Sequence, residues 1–336
     1  MQPTIKDVAK RAGVSTATVS RVLNAVEVVS DDTRVRVEQA ILDLGYRYNS
    51  LARSLKKKTT GLIGHIIPSI SGPVAPILAR AVEDQARTEG CNVILCNSYD
   101  SAEKERANID ILLERRVDGI VFSSPLMPDH LRMVSARGIP LVIIERREAI
   151  SGFPYVEPNN RDAAKEAVEY LIGLGHRRIG LILGLKNAIL VRQRQQGYEA
   201  ALSDAGIPLD PRIIVDGAYT RPSGYNAMHK LLLANPRPTA VFACNDAMAI
   251  GAMQAAHHEG LVTPKDISFI GFDDTLAELT IPQLTSVHQP LYEIGTLATR
   301  MLTAQIQGDT ASYPDESILA CELRVRESCA PPPNQV

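Results

Sequence analysis

The feature that most constrains the fold is a regular alternation of short apolar runs with amphipathic helical stretches, which starts at Leu62. Its first segments read LIGHIIP, VAPILARAVEDQARTEG, NVILCNS and AEKERANIDILLERR. Apolar runs that alternate with helical stretches in this way are typical of βαβ units with a parallel sheet. The alternation stops at YVEPNN and then starts again. The sequence therefore predicts an α/β fold with two similar doubly wound lobes, and YVEPNN as one crossover between them.

The C-terminal part of the chain departs from this alternation. The stretch LTSVHQP, a predicted helix from about 291 to 307 and an apolar stretch near 317–325 are expected to return across the lobes. The last residues, 330–336, contain three consecutive prolines and are predicted to form a disordered tail.

Composition excludes several classes of protein. The chain has 336 residues, 45% of them hydrophobic and 22% charged, which is typical of a soluble protein with two or three domains. No apolar run approaches the roughly 18 residues that a membrane span requires. The N-terminus lacks the apolar core of a secretory signal. We therefore predict a cytoplasmic protein with no membrane partner.

Motifs for catalysis and metal binding are missing from the sequence. The five cysteines form no CxxC pair, and the seven histidines include no HExxH, so neither a disulfide framework nor a metal site is indicated. The nucleotide-binding patterns GxGxxG and GxxxxGK[ST] and the hydrolase pattern GxSxG are also absent. The sequence thus favours a protein that is not an enzyme and needs no cofactor.

A different pattern occupies the N-terminus, where TIKDVAKRAGVSTATVSRVLN predicts two short helices around a tight turn. Gly13 allows the sharp turn that ends the first helix, and Ser15 is a good N-cap for the second. The second helix should bury Val19, Val22 and Leu23. Its outer side would carry Thr16, Ala17, Thr18, Ser20 and Arg21. This is a helix-turn-helix, whose second helix can enter a DNA major groove; an ordinary helical hairpin is the alternative.

A third helix and the distribution of charge agree with a DNA-binding head. Val37, Ala40, Ile41 and Leu44 form an apolar stripe that Gly45 ends. Residues 1–60 contain 11 Lys and Arg against 6 Asp and Glu, a net charge of +5, whereas the remainder has 25 against 32, a net charge of −7. A basic head on an acidic body suits phosphate contacts that are confined to the head.

The segment NSLARSLKKKTTG predicts a short helix that would need DNA or a second copy of the chain to be stable. The predicted domains are therefore a helix-turn-helix head over 1–49, a hinge helix and linker over 50–60, a two-lobed domain over 61–329 and the tail over 330–336.

Polar residues follow several predicted strands of the two lobes. Ligands of open parallel sheets bind beyond the carboxyl ends of the strands. Those ends carry Ser123-Ser124, Glu145-Arg146, Asn245-Asp246 and Asp273-Asp274. They suit a small polar ligand in a cleft between the lobes, although each residue could instead cap the helix that follows it.

Together these motifs resemble the lactose-repressor (LacI/GalR) family of bacterial transcription regulators. The resemblance runs from Thr4 to about Arg326. It is carried by the N-terminal pattern and by LARSLK, VDGIVF, GHRRIG, RQQGYEAAL, FACNDAMAIGA and IGFDD followed by PQLTSVHQP.

The resemblance implies roles for residues of the head and the hinge. Thr16, Ala17 and Arg21 match the positions that read bases, and an arginine can bind a guanine edge through two hydrogen bonds. Short side chains suited to phosphate contacts are Ser15, Thr18, Ser20 and Asn24. Leu55 matches a hinge residue that wedges into the minor groove at the operator centre, with Ala52 and Arg53 beside it.

In the cleft, the resemblance implies effector contacts from Arg194, Asn245 and Asp273, with Asn97 at another pocket position. The strand ends add Ser123 and Glu145 to the predicted site, and Asp246 is expected to cap the following helix. The aromatic pair that many members carry after the first strand is replaced by Gly72-Pro73-Val74-Ala75. Four arginines near the pocket suggest an anionic ligand, such as a sugar acid or sugar phosphate. They are Arg146, Arg147, Arg192 and Arg194.

The predicted function is a homodimeric repressor that binds a near-palindromic double-stranded operator and is controlled by a small effector, a sugar or sugar derivative. Ligand binding would change lobe closure, separate the two hinge segments and release the operator, by a shift between two populations. The alternative is a solute-binding protein with the same two lobes and no gene-regulatory role. Without an apolar heptad run near the C-terminus, a dimer is favoured over a coiled-coil-linked tetramer.

Overall fold

The computed structural model describes residues 3–23, 29–46, 59–145, 152–185, 189–309 and 311–333. The chain divides into two compact units, Met1–Thr60 and Gly61–Val336. The second unit is an α/β structure with two sheets, as the alternating pattern predicted.

The first unit contains the helices α1 (Ile5–Ala12), α2 (Thr16–Leu23) and α3 (Asp31–Leu44). At the start of α1, the backbone N–H and the hydroxyl of Thr4 both donate to the Asp7 carboxylate, at 2.8 and 2.7 Å. Gly13 has a φ of +67°, which a residue with a side chain rarely adopts, and this conformation ends α1 as predicted. Six small or β-branched side chains form the shared core: Val8, Ala9, Ala12, Val19, Val37 and Ala40.

The first lobe of the second unit is built on a six-stranded sheet. Its strands are β1 (Leu62–Ile67), β2 (Asn92–Asn97), β3 (Gly119–Ser123), β4 (Leu141–Ile144), β5 (Tyr155–Pro158) and β11 (Glu316–Leu319). They lie in the order β2-β1-β3-β4-β5-β11 and all described pairs are parallel. The helices of this lobe are α4 (Val74–Thr88), α5 (Ala102–Glu114), α6 (Pro128–Ser135) and α11 (Leu291–Ile306).

Because side chains of a strand alternate between two faces, the first sheet has an apolar core on each side. On one side Ile63 and Val121 pack with Leu78 of α4 and Ile294 of α11. On the other side, a second cluster brings together side chains of the sheet, α5 and α6. It contains Ile66, Ile120, Phe122, Ile109 and Leu131.

The second lobe repeats the arrangement. Its strands are β6 (Ile179–Leu183), β7 (Ile214–Asp216), β8 (Ala240–Ala243), β9 (Ser268–Asp273), β10 (Thr285–His288) and β12 (Glu322–Arg324). They lie in the order β7-β6-β8-β9-β10-β12, with β12 antiparallel to β10. The helices are α7 (Asn160–Gly173), α8 (Ile189–Asp204), α9 (Arg221–Leu232) and α10 (Asp246–His258).

The chain passes between the lobes at the positions that the sequence predicted. It crosses from β5 to α7 at Asn159, from β10 to α11 near Gln289, and from β11 to β12 near Cys321. Asn159 joins two of these segments, because its backbone N–H donates to Leu319 O at 2.9 Å and its Oδ1 accepts from Cys321 N at 2.7 Å. The predicted crossover and the predicted return are therefore confirmed.

The start of the predicted tail is ordered by hydrogen bonds, which differs from the disorder expected from its prolines. Ala330 N donates to Ser268 Oγ at 3.1 Å, and Ala330 O lies 2.9 Å from His176 Nε2. Pro332 lies against Gly175. Ala330, the residue before the proline run, still has both a backbone N–H and a carbonyl, and Ser268 and His176 bind them. Residues 334–336 lie outside the described residues.

Candidate functional sites

The outer side of α2 is the candidate DNA-binding face. Ser15 Oγ accepts from Thr18 N at 3.1 Å, which is the predicted cap, and its hydroxyl lies 2.9 Å from Thr18 Oγ1. Val19 is buried in the head core, whereas Thr16, Ala17 and Arg21 are exposed. The apolar side of α2 therefore faces the core of the head and its polar side faces solvent, as the sequence predicted.

Ser20 and Thr18 are the other predicted contact residues of α2, and both are partly buried. Asn24, Ala52, Arg53 and Leu55 lie outside the described residues, so their roles stay predictions.

Arg194 is the centre of the candidate effector cleft. It lies on the inner side of α8, where buried residues recur as Val191, Arg194, Gly197 and Tyr198, and only 2% of its surface is exposed. Its Nε donates to Asn160 Oδ1 at 2.9 Å and its Nη1 to Cys244 O at 2.5 Å. Its guanidinium also lies over the Phe272 ring, 3.5 Å from the centroid. A buried guanidinium is thus held on three sides by protein groups.

Gly197 explains how α8 brings Arg194 to Asn160. A Cβ atom at Gly197 would lie 2.2 Å from Arg161 O of α7, so only glycine allows α7 and α8 to approach this closely. Asn160 is the first residue of α7 and is 2% exposed. The close packing of the two helices therefore fixes the distance between the arginine and the amide.

Two carboxyl groups share the surroundings of Arg194. Asp273 Oδ1 lies 3.7 Å from Arg194 Nη1 and accepts from Gln289 Nε2 at 2.6 Å. Glu145 accepts from Ser124 Oγ at 3.2 Å. Burial raises the pKa of both carboxyl groups, most strongly that of Asp273, and the Arg194 charge opposes the rise in each case. The structure thus brings together three of the predicted site residues, Glu145, Arg194 and Asp273.

Two further residues belong to the same cluster and were missed from the sequence. Tyr219 has its pKa raised by burial, and it interacts electrostatically with Arg194, Glu145 and Asp273. Its hydroxyl is buried and has no hydrogen-bond partner among the described residues, and the same is true of Gln289 Oε1. Buried polar atoms in proteins are nearly always hydrogen-bonded, so such atoms in one cleft indicate a polar ligand. The signal in the sequence was weak, because Tyr219 lies in a loop after a short strand.

Asn245 rather than Asp246 caps α10, and the effector contact of Asn245 stays a prediction. Asn245 caps α10, because its Oδ1 accepts from Met248 N at 2.9 Å, while its Nδ2 donates to Tyr219 O at 3.2 Å. The expectation that Asp246 caps this helix is wrong. Its carboxylate is fully buried and accepts from Thr275 N, Leu276 N and Ser286 Oγ.

The last two predicted effector residues lie in the first lobe and are hydrogen-bonded within it. Ser123 Oγ lies 2.9 Å from Nε2 of the buried His65, whose pKa burial lowers to about 3. Asn97 Oδ1 accepts from Ile70 N at 2.8 Å and thereby holds the loop after β1. Their effector contacts stay predictions.

A groove of about 440 Å³ on the first lobe, between α4 and β2, is lined by residues that include Arg80, Arg87 and Leu95, and by none of the predicted effector residues. Among the described residues, no cluster of histidine, cysteine or acidic side chains is arranged to hold a metal ion. Nor does the described part of the chain contain a helix long and apolar enough to cross a membrane.

Family models match most of the chain. Residues 4–49 match the model of bacterial regulatory proteins of the lacI family, and residues 168–329 match the periplasmic binding protein-like domain. The two matches correspond to the head and to the larger part of the two-lobed unit.

Individual relatives match this chain over nearly its whole length. The chain is 40% identical over 328 residues to catabolite control protein A of Priestia megaterium, covering 97% of this chain and 98% of the relative. It is 38% identical over 329 residues to the ribose operon repressor of Halalkalibacterium halodurans, covering 97% and 96%. Among solved structures, the lac repressor dimer bound to operator and the anti-inducer ONPF is similar with a TM-score of 0.88 and 30% identity, covering 98% of this chain and all of that one.

Proposed function

The chain belongs to the lacI family of bacterial regulatory proteins, and from that premise we propose that it is a homodimeric repressor of transcription whose operator affinity depends on a small ligand. The relatives are transcriptional regulators rather than enzymes. A solute-binding protein with the same lobes is disfavoured, because such a protein has no use for a basic helix-turn-helix head.

Operator recognition is assigned to the exposed side of α2. Thr16 and Ala17 offer methyl groups to thymine, and Arg21 has the donors to bind guanine N7 and O6. Ser15, Thr18, Ser20 and Asn24 are assigned to the backbone, which sets the register. A dimer would present two such helices to successive half-sites, and for this a near-palindromic double-stranded site is expected. Leu55, with Ala52 and Arg53, is assigned to the minor groove at the operator centre.

The ligand assigned to the cleft is a neutral molecule rich in hydroxyl groups. The observation that supports this is the pairing of one arginine with two carboxyl groups, Glu145 and Asp273, beside the unpartnered hydroxyl of Tyr219 and the unpartnered Oε1 of Gln289. A sugar hydroxyl both donates and accepts, so it suits an acceptor and a donor in one site. This argues against the anionic ligand suggested by the arginines. Arg192 lies on the exposed side of α8, and Arg146 and Arg147 lie outside the described residues.

Control of DNA binding is assigned to lobe closure. A ligand held between Arg194 and Asp273 of the second lobe and Glu145 of the first would favour one relative position of the lobes. Through the hinge segments, that change would release the operator. Because linkage is reciprocal, operator DNA should weaken ligand binding by the same factor.

Isothermal titration of the full chain with D-ribose, cellobiose, gluconate and glucose 6-phosphate tests the ligand class. We expect a neutral sugar to bind and both anionic compounds to fail. Tyr219→Phe removes only the hydroxyl, so it should weaken the binding of the neutral sugar about fivefold to thirtyfold, since a hydrogen bond to a buried site is worth about 1–2 kcal/mol. Tyr313→Phe, a tyrosine packed against the core of the first lobe, serves as the control. Tight binding of the anionic compounds with none of the neutral ones would overturn the assignment.

A further inference from the structure

A continuous chain of hydrogen bonds connects a strand of the first lobe with the buried arginine of the second. Gln193 Nε2 donates to Glu157 Oε1 at 3.3 Å. Asn160 Nδ2 donates to Gln193 Oε1 at 3.1 Å, and Arg194 Nε donates to Asn160 Oδ1 at 2.9 Å. Three of the four side chains, Glu157, Asn160 and Arg194, are no more than 3% exposed. The chain of bonds therefore lies in a nearly dry part of the molecule.

The two ends of this chain fix the direction of every bond within it. An ionised carboxylate can only accept and a guanidinium can only donate. The amide nitrogen of Gln193 must therefore face Glu157, and its oxygen must face Asn160. Asn160 in turn must turn its nitrogen toward Gln193 and its oxygen toward Arg194. Neither amide can flip without breaking a bond at each of its sides.

The chain also crosses from one lobe to the other. Glu157 belongs to β5 of the first sheet, whereas Gln193 belongs to α8 of the second lobe. Glu157 lies two positions before the crossover at Asn159, and Gln193 lies 36 positions after Glu157 on α8, so the bond between them spans this crossover. A change in the direction of the chain at the crossover would change the distance between Glu157 and Gln193.

We infer that Glu157 and Gln193 are positioning residues, which tie the orientation of Arg194 to the relative position of the lobes. When the bond between Glu157 and Gln193 is made, Asn160 Oδ1 is held toward Arg194 Nε and the guanidinium is fixed in the cleft. When the lobes separate, Gln193 becomes free to reorient, Asn160 Nδ2 keeps only its longer bond to Pro158 O at 3.4 Å, and the guanidinium loses part of this support. The consequence for ligand affinity rests on the proposed function of the cleft, but the bond between the lobes does not.

An exchange of the two end groups tests this directly. Gln193→Glu puts two carboxylates opposite each other across the lobes, so the bond is replaced by repulsion. In the double variant E157Q/Q193E, a glutamine at 157 can donate to the glutamate at 193, which still accepts from Asn160 Nδ2. The amide and the carboxylate have then exchanged positions, and the orientation of Asn160 is restored.

Hydrogen–deuterium exchange of the full chain, read by mass spectrometry, requires neither effector nor operator. We expect Gln193→Glu, a change in the second lobe, to speed amide exchange about tenfold in the peptide of the first lobe that spans β5. In the double variant, the exchange rate of this peptide should return to within about twofold of the parent. A matched control is the Gln195–Glu199 pair of α8, whose hydrogen bond of 2.8 Å stays within one helix. Gln195→Glu should leave exchange in β5 unchanged.

Equal exchange in β5 for Gln193→Glu and the double variant would overturn the inference, as would an equal effect of Gln195→Glu. Circular dichroism shows whether each variant folds. If Gln193→Glu does not fold, a double variant that folds supports the pairing, and one that does not fold rejects it. A failure to find any effector in the titrations would bear on the proposed function alone, since the exchange experiment does not depend on it.

Discussion

The candidate DNA-binding face and the candidate effector cleft use their polar side chains in opposite ways. Thr16, Ala17 and Arg21 of the head are exposed, and the core beneath them is made of other residues. Arg194 and Asp273 of the cleft are buried and contact each other as well as their surroundings. A surface that reads a large, rigid partner can therefore change without loss of the fold. A cleft that holds a small ligand cannot, because its binding groups are also part of the core.

Replacement of Arg194 by alanine should give the largest loss of stability. It leaves Asp273, which is 6% exposed, without its nearby positive charge, and removing one partner of a buried ion pair costs about 3–5 kcal/mol. Urea unfolding followed by circular dichroism measures this loss. The control is Arg192→Ala, an exposed arginine two positions earlier on the same helix, which should cost less than about 1 kcal/mol. Equal effects of the two variants would contradict the view of the cleft as part of the core.

The buried carboxyl group of Asp246 should lower the stability of the native protein by an amount that depends on pH. Burial raises the pKa of this carboxyl group from its ordinary 3.8 to about 6. The folded state therefore binds the proton more tightly than the unfolded state does, so this group destabilises the protein as pH rises from about 4 to 6. Two pKa units correspond to about 3 kcal/mol, present in full above pH 6.

Asp246→Asn removes this dependence, since the amide oxygen can still accept from Thr275 N and Leu276 N, and Ser286 Oγ can accept from the amide nitrogen. Thermal melts at pH 4, 5, 6 and 7 should show the variant gaining melting temperature relative to the parent as pH rises. The control is Asp129→Asn, which removes an exposed carboxyl group in the first turn of α6. A difference between Asp246→Asn and the parent that is constant from pH 4 to 7 would show that Asp246 does not titrate in this range.

Arg21→Ala should have the smallest effect on stability, within about 0.5 kcal/mol, because the side chain is exposed. Its effect should appear in DNA binding, where loss of a bidentate contact to guanine costs about 1–3 kcal/mol of discrimination. Gel shifts with operator and with a scrambled duplex measure both. We expect weak, salt-sensitive binding to remain while selectivity is lost. Unchanged selectivity would remove Arg21 from the base-reading set.

Local features of the fold could be predicted because their causes lie within a few residues. Gly13 ends α1 since the left-handed turn favours glycine, and Ser15 caps α2 through Thr18 N. The strands could be predicted for the same reason, because each apolar run is separated from the next by the length of one helix. The crossover at 155–160 could be recognised because it interrupts this alternation of strands and helices.

The cleft was predicted only in part, because its contacts join residues far apart in sequence. The strand ends indicated Glu145 and Asp273, but the choice between Asn245 and Asp246 as the helix cap depended on the loop at 275–276, which draws Asp246 away. Tyr219 was missed, since nothing in its neighbourhood along the chain indicates that it is buried within the electrostatic reach of Arg194.

Periodicity, glycine positions and charge therefore established two lobes, a basic three-helix head and the residues on its outer side, since each depends on interactions within one element or between neighbours. The partners of Arg194 and the bond between Glu157 and Gln193 depended on the packing of α8 against α7 and of one lobe against the other. Hydrogen bonds are short and directional, so a pairing between residues 36 positions apart is fixed only when the folded chain brings both groups within about 3 Å.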